Sequence, residues 1–281
     1  MHTENVYRSF VGTDIMDNNE RSELNKSNWS ISEGIILFTD IFIPSLPIHC
    51  PSWMPWIIKR IFFRDSCRYI EDISYDSLNN GECFIYINGI MTNESVLNKN
   101  RDILRELLNR PINSIYNTTD SILIDLIECV IGKSTDYLTE PVYVTLSCII
   151  KKLLNINITK VVVICHSQGT IIISQVLNGL KRFGFDKELY LKKLEIYAFA
   201  NCASNMKYIL MDKYPYMENF ANEDDFVARL GCNCADDVIQ YIDIDGPVFI
   251  NKGKSGHMFN SHYMNNFSED FPNSRLNNYI K

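Results

Sequence analysis

No stretch of the sequence offers the roughly 18 consecutive apolar residues that a membrane-spanning helix requires. The opening MHTENVYRSFVGTDIMDNNE is polar and lacks the basic-then-apolar layout of a secretory signal. The first absence excludes an integral membrane protein; from the second we expect an intracellular chain, cytoplasmic or peripherally membrane-associated. Basic residues are short, 27 against 34 acidic ones for a net charge of −7, so a nucleic-acid partner is not expected. Metal-ligand spacing is missing as well. Cys232 and Cys234 form a C-x-C pair with no second pair or suitably spaced histidine, which reads as a plain loop. No dinucleotide fingerprint follows a strand, and GKS at 253–255 would need a glycine at position 248, where Val248 stands. We therefore expect neither a metal nor a cofactor. Collagen, disorder and coiled coil are excluded by the same composition.

What is present is apolar mass. Hydrophobic types make up 46% of the 281 residues, enough for a chain of this size to bury about three quarters of its unfolded surface. The nine cysteines are odd in number and scattered, many inside apolar runs such as ECFIYI and VVVICH. There a thiol acts as a small hydrophobe, which fits a reducing compartment rather than a disulfide framework. Residues 1–30 are polar and read as a flexible arm. Residues 31–80 form an apolar N-terminal extension, and a regular catalytic domain is expected over 81–281.

From residue 82 onward short strands alternate with helices. The strand candidates are 83–88, 112–116, 160–165, 193–200, 216–221 and 247–251, nearly all apolar on both faces, as in a parallel sheet covered on each side. Helices are expected over 94–108, stopped by Pro111; over 120–132, capped by Asp120; over 140–155, with Pro141 in the first turn; from Gln168 to Phe183; and from Met258 to Phe267. The fold class that follows is α/β, a mostly parallel sheet flanked by helices.

The sharpest motif is VVVICHSQGT at 161–170, a β-branched strand running into His-Ser-Gln-Gly and directly into a helix. This is close to a nucleophile elbow, in which Ser167 occupies a strained turn and its neighbours two residues away must be small. Gly169 meets that demand, and Cys165 stands where the first glycine would be. A serine hydroxyl needs a base and a third group to orient the base. Past the strand at 216–221 lies an acidic cluster in which Asp225 or Asp224 could serve as the acid. Of the five histidines only His257 and His262 follow it. His257 sits in a loop after the last strand, where a base would hang over the elbow, and His262 is the alternative. His166, next to the nucleophile, is expected to point away from it. For an oxyanion hole, one amide should be that of Gln168 and a second should come from YINGI, where Gly89 turns the backbone. Ile90 is the expected donor, with Met91 the next choice.

These residues resemble the α/β-hydrolase superfamily, through ICHSQGT, IYAFANCA, NFANEDDFVARLG and GHMFNSHYM. Within it the match is to a lipase-like group of largely uncharacterised fungal hydrolases. DFVARL at 225–230 is similar to the acid loop of class 3 lipases, with Ala228 in place of a proline, and that resemblance favours Asp225 over Asp224. It covers about residues 82–267 and implies ester hydrolysis through an acyl-enzyme.

The expectation is thus a serine hydrolase acting on a small-molecule or lipid ester, more acyl-lipid than polar. Its rivals are a catalytically silent scaffold used for binding and a thioesterase or peptidase on the same triad. One further segment, PSWMPWIIKRIFFR at 51–64, combines two Trp, three Ile and two Phe with Lys59, Arg60 and Arg64. It suits either packing on the core, as an edge helix or lid, or contact with a membrane surface.

Overall fold

A computed structural model describes residues 23, 67–73, 81–89, 92–117, 139–207, 213–234 and 242–281. The expected helix over 120–132, the aromatic segment 51–64, and Ile90 and Met91 lie outside the described residues. So do the arm and the extension, apart from Glu23 and 67–73.

Among the described residues, seven strands form one sheet in the order β1-β3-β2-β4-β5-β7-β9. They are β1 (Arg68–Ile70), β2 (Glu82–Ile87), β3 (Ile112–Tyr116), β4 (Lys160–His166), β5 (Leu194–Phe199), β7 (Tyr216–Asn222) and β9 (Val248–Asn251). Every pairing is parallel except that of β1 with β3. Two-residue strands β6 (Asn205–Met206) and β8 (Asp243–Ile244) make a separate small ladder.

Burial on both faces explains the apolar strands, and the two faces differ in chemistry. On one side, helices α1 (Glu94–Leu108) and the C-terminal segment cover Phe84, Tyr86, Phe199 and Phe220 with Phe259, Tyr263, Phe267 and Phe271. On the other, α2 (Glu140–Leu154) and α3 (Gln168–Arg182) cover an aliphatic surface of Ile85, Val161, Val163 and Ile196. Asn93 caps α1 by accepting from the Val96 amide at 2.8 Å, and Asn109 in a left-handed conformation ends it before Pro111. Pro141 opens α2, where its missing N–H costs nothing. A single turn, α4 (Glu188–Leu191), leads into β5.

The chain runs outward from β2 to β3 and then crosses back to β4, so the strand order reverses between β2 and β4. In open α/β sheets the crevice at such a reversal is where sites form. This mostly parallel sheet with helices on both faces is the α/β-hydrolase arrangement.

The last expected helix is corrected by the structure. Instead of one helix from Met258 to Phe267 there is a π-helical turn, Phe259–Met264, and then a separate short helix α5, Phe267–Asp270. The turn is widened because its start is tied down twice. The Met258 amide donates to His262 Nδ1 at 2.9 Å, and buried Glu23 accepts from the Asn260 and Ser261 amides at 2.7 and 3.3 Å.

Candidate active site

β4 delivers Ser167 at the C-terminal edge of the sheet with φ 56° and ψ −124°, a left-handed backbone that a serine adopts only under constraint. The constraint is visible on both sides. The Ser167 amide donates to Phe199 O at 3.0 Å, and Thr170 Oγ1 donates to Ser167 O at 2.7 Å. A Cβ on Gly169 would lie 2.6 Å from Ile87 O, and one on Gly89 would lie 2.7 Å from Ser167 Cβ. Elbow, α3 and the β2 loop therefore interlock at positions where only glycine fits. Cys165 is accommodated because its side chain turns into the aliphatic core layer. There it is fully buried, and burial pushes its thiol well up.

β7 ends at Asn222, and the tight turn after it carries Asp225, completely buried. The loop after β9 carries His257, also buried. His257 Nε2 lies 2.9 Å from Ser167 Oγ, and Nδ1 lies 3.0 and 3.1 Å from the two carboxylate oxygens of Asp225. Burial works against charge on Asp225. Even so, the neighbouring His257, the Tyr263 hydroxyl and the Val227 amide hold its carboxyl below the usual carboxylate range. An ionised carboxylate only accepts, so Nδ1 carries the imidazole proton and Nε2 is left to accept from the Ser167 hydroxyl. The site is a Ser–His–Asp triad on an α/β-hydrolase fold.

Of the alternatives, Asp224 is half-exposed and forms an ion pair with Arg229 at 2.6 Å. His262 Nδ1 accepts from the Met258 amide, its ring beneath Gly256. Neither side chain joins the triad line. Gln168 opens α3, where amides emerge at the positive end of the helix dipole. Its side chain accepts from Asn117 Nδ2 at 2.7 Å, and Asn88 Nδ2 ties the Gly89 carbonyl (2.8 Å) to that of Asn117 (3.1 Å). These three buried or half-buried amides link the loop after β2 to the residue after the nucleophile.

Two residues in contact with the triad, His166 and Tyr263, and Glu23, which ties the turn that carries Tyr263, have no signature in the sequence. His166 was expected to point away from the nucleophile. Its ring packs 4.7 Å from the His257 ring, and its Nε2–H donates to His257 O at 2.7 Å. Burial and the adjacent His257 lower its pKa to about 3, so it serves as a neutral strut. Tyr263 reaches Asp225 from the π-helical turn, and Glu23 ties the start of that turn. Partners so distant in the sequence leave no spacing signal.

No protein-family model and no curated protein matches the chain. Among solved structures it is similar to a lipase-esterase related protein from Clostridium acetobutylicum (8% identity, TM-score 0.42, covering 77% of this chain and 100% of that one). It is also similar to a thermostable carboxylesterase cloned from a metagenomic library (8%, 0.47, 93% and 98%). A third is a hyperthermophilic esterase from the archaeon Pyrobaculum calidifontis (11%, 0.40, 81% and 80%). At this distance the activities of those proteins do not transfer to this chain. No helix among the described residues is long and apolar enough to cross a membrane.

Proposed function

We propose that the protein is a serine hydrolase that cleaves a carboxylic ester through an acyl-enzyme. The observation that carries this reading is the continuous hydrogen-bonded line Ser167–His257–Asp225, buried at the C-terminal edge of the sheet. Ser167 Oγ attacks the ester carbonyl while His257 Nε2 takes its proton, and the imidazolium that forms is balanced by Asp225. The carbonyl oxygen becomes an oxyanion beside the elbow. The Gln168 amide, at the start of α3, serves as one donor, and the loop after Gly89 supplies the other through Ile90 or, failing that, Met91. His257 then hands the proton to the leaving alcohol. Water enters by the reverse sequence and frees the acid, so no metal or cofactor is needed.

The finer reading is an acyl-lipid ester. It is supported by the likeness of DFVARL to the acid loop of class 3 lipases and by the lipase-like fungal resemblance of the elbow and histidine segments. Segment 51–64 would bring such a substrate to the site from a membrane surface.

The test is labelling by a fluorophosphonate probe together with turnover of an ester series graded in acyl length, on wild type and Ser167→Ala. Wild type should label and hydrolyse; Ser167→Ala should do neither while its thermal unfolding stays within a degree or two. Full labelling of the variant would end the assignment. A wild type silent to both probe and esters would leave a binding scaffold. Preference for long chains supports the lipid reading, and preference for acetyl esters removes it.

A further inference from the structure

Tyr263 is fully buried in the π-helical turn, and its hydroxyl lies between two groups of opposite hydrogen-bonding sense. It accepts from the Asn222 amide at 3.1 Å and lies 2.6 Å from Asp225 Oδ2. A phenol has one proton, and the amide cannot receive it, so the proton is directed at the carboxylate. The same Oδ2 is 3.0 Å from His257 Nδ1, while Oδ1 also accepts from the Val227 amide at 2.9 Å. The phenol and the imidazole therefore compete for one carboxylate oxygen.

We propose that Tyr263 is a positioning residue that acts through Asp225, extending the line to Ser167–His257–Asp225–Tyr263 and setting how strongly the carboxylate draws on the imidazole. Its consequence for turnover rests on the hydrolase reading above; the four-membered line stands on geometry alone. A short hydroxyl-to-carboxylate bond is charge-assisted and takes up electron density that the carboxylate would otherwise offer to the Nδ1 proton. Without it, Asp225 is a stronger base toward His257, the imidazolium is held more tightly, and the proton is returned to the leaving group less readily. The hydroxyl also pins Oδ2, complementing the Val227 and Ala228 amides that hold Oδ1 at 2.9 and 3.4 Å.

The other titratable groups around this line leave it in control. From β4, His166 stays neutral down to about pH 3 because it is buried beside His257. From the turn after Leu230, Cys232 is kept a thiol by burial and by the nearby Asp225. Burial and Asp225 likewise push Tyr263 well up, so it remains a donor throughout the working range. His262 is engaged with the Met258 amide, and Glu23 with the Asn260 and Ser261 amides of the same turn. Asp224 and Arg229 pair with each other at the surface.

The test uses the full chain and three readings: kcat/KM against pH, the fluorophosphonate reaction rate against pH, and the titration of histidine ring nitrogens in 15N-histidine-labelled protein. In Tyr263→Phe, kcat/KM at pH 7 should fall about 10-fold. The midpoint of its acid limb, and that of the triad ring signal, should move up by about one pH unit. Adding Asp225→Asn to Tyr263→Phe should cost nothing beyond Asp225→Asn alone. Should Tyr263→Phe not fold, site-specific 3-fluorotyrosine at position 263, a stronger donor on the same ring, should move both midpoints down. Midpoints unmoved in either variant, with only the melting temperature lowered, overturn the proposal. Shifted ring signals in a protein that neither labels nor hydrolyses uphold the four-membered line and overturn the hydrolase reading instead.

Discussion

Strands β5 and β7 carry two buried clusters of carboxylate and phenol, one toward each end. At the amino ends, Glu195 accepts from Tyr197 (2.9 Å), Tyr279 (2.8 Å), Arg275 (2.7 Å) and Lys160 (3.2 Å). Glu218 beside it accepts from Tyr216, Ser274 and the Arg275 amide at 2.5, 2.6 and 2.8 Å. At the carboxyl ends, Asp225 accepts from His257, Tyr263 and Val227. The materials are nearly the same and the outcomes are not. Glu195 meets two permanent cations, Arg275 and Lys160, and both glutamates meet hydroxyls, so the cluster ties the C-terminal segment to the sheet. Asp225 faces an imidazole, whose charge can come and go, and a serine lies beyond it. One exchangeable proton separates a fastening from a site equipped to react.

The sharpest way to break this comparison is to remove the exchangeable group. His257→Ala should lower kcat/KM by about 10⁴-fold or more, much as Ser167→Ala does, because triad members act as a unit. Urea unfolding followed by circular dichroism should show a folded protein that is less stable, by about 1–3 kcal/mol, because buried Asp225 loses its imidazole partner. Retained activity would mean that the carboxyl-end cluster is a fastening too.

The converse variant is Glu195→Ala. It strands Tyr197, Tyr279 and part of Arg275, and should cost about 2–4 kcal/mol of unfolding free energy. At 25 °C the folded fraction should label with fluorophosphonate at the wild-type rate. A selective loss of labelling rate would show that the two ends communicate.

Acid should weaken the carboxyl-end cluster in particular. His166 titrates near 6.5 when unfolded and at about 3 when folded, so the unfolded chain binds the extra proton between those values. Its contribution is complete above pH 6.5 and declines as pH falls toward 3. Asp225, with a depressed folded value, works in the same direction, its share lost as pH falls through that value. The urea midpoint should therefore drop between pH 7 and pH 4.5, and drop less in His166→Gln. Equal slopes in the two proteins would remove His166 as the cause. The smallest effect belongs to Asp224→Asn, where a half-exposed ion pair is worth about 0–1 kcal/mol and activity should stay within about threefold of wild type.

The sequence disclosed most where one constraint acts alone. Six main strands and three helices fall within a residue or two of expectation, since burial on both faces leaves an unmistakable run of β-branched and aromatic residues. The short antiparallel β1 escaped because Arg68–Ile70 has no such run. The break in the last helix escaped because apolar spacing does not distinguish a π-helical turn from an α-helix. In the site, Ser167, Asp225 and His257 were legible from chain order and local context. His166, Tyr263 and Glu23 were not, because what places them is contact across the fold.

The order of the strands has a consequence for how the molecule fails. His257 hangs from the loop after β9, the last strand of the sheet, a four-residue edge whose Val248 and Ile250 remain open to water. Ser167 sits on central β4, walled by β2 and β5. Edge elements open at a smaller free-energy cost than the core they rest on. On warming, the base should therefore swing away while the nucleophile and most of the sheet are still in place. Inactivation is then a local and reversible event at the rim, separate from the cooperative collapse of the interior. Amide exchange at Phe249 and Ile250 should follow the loss of turnover, and exchange at Val162 and Val163 the loss of the fold.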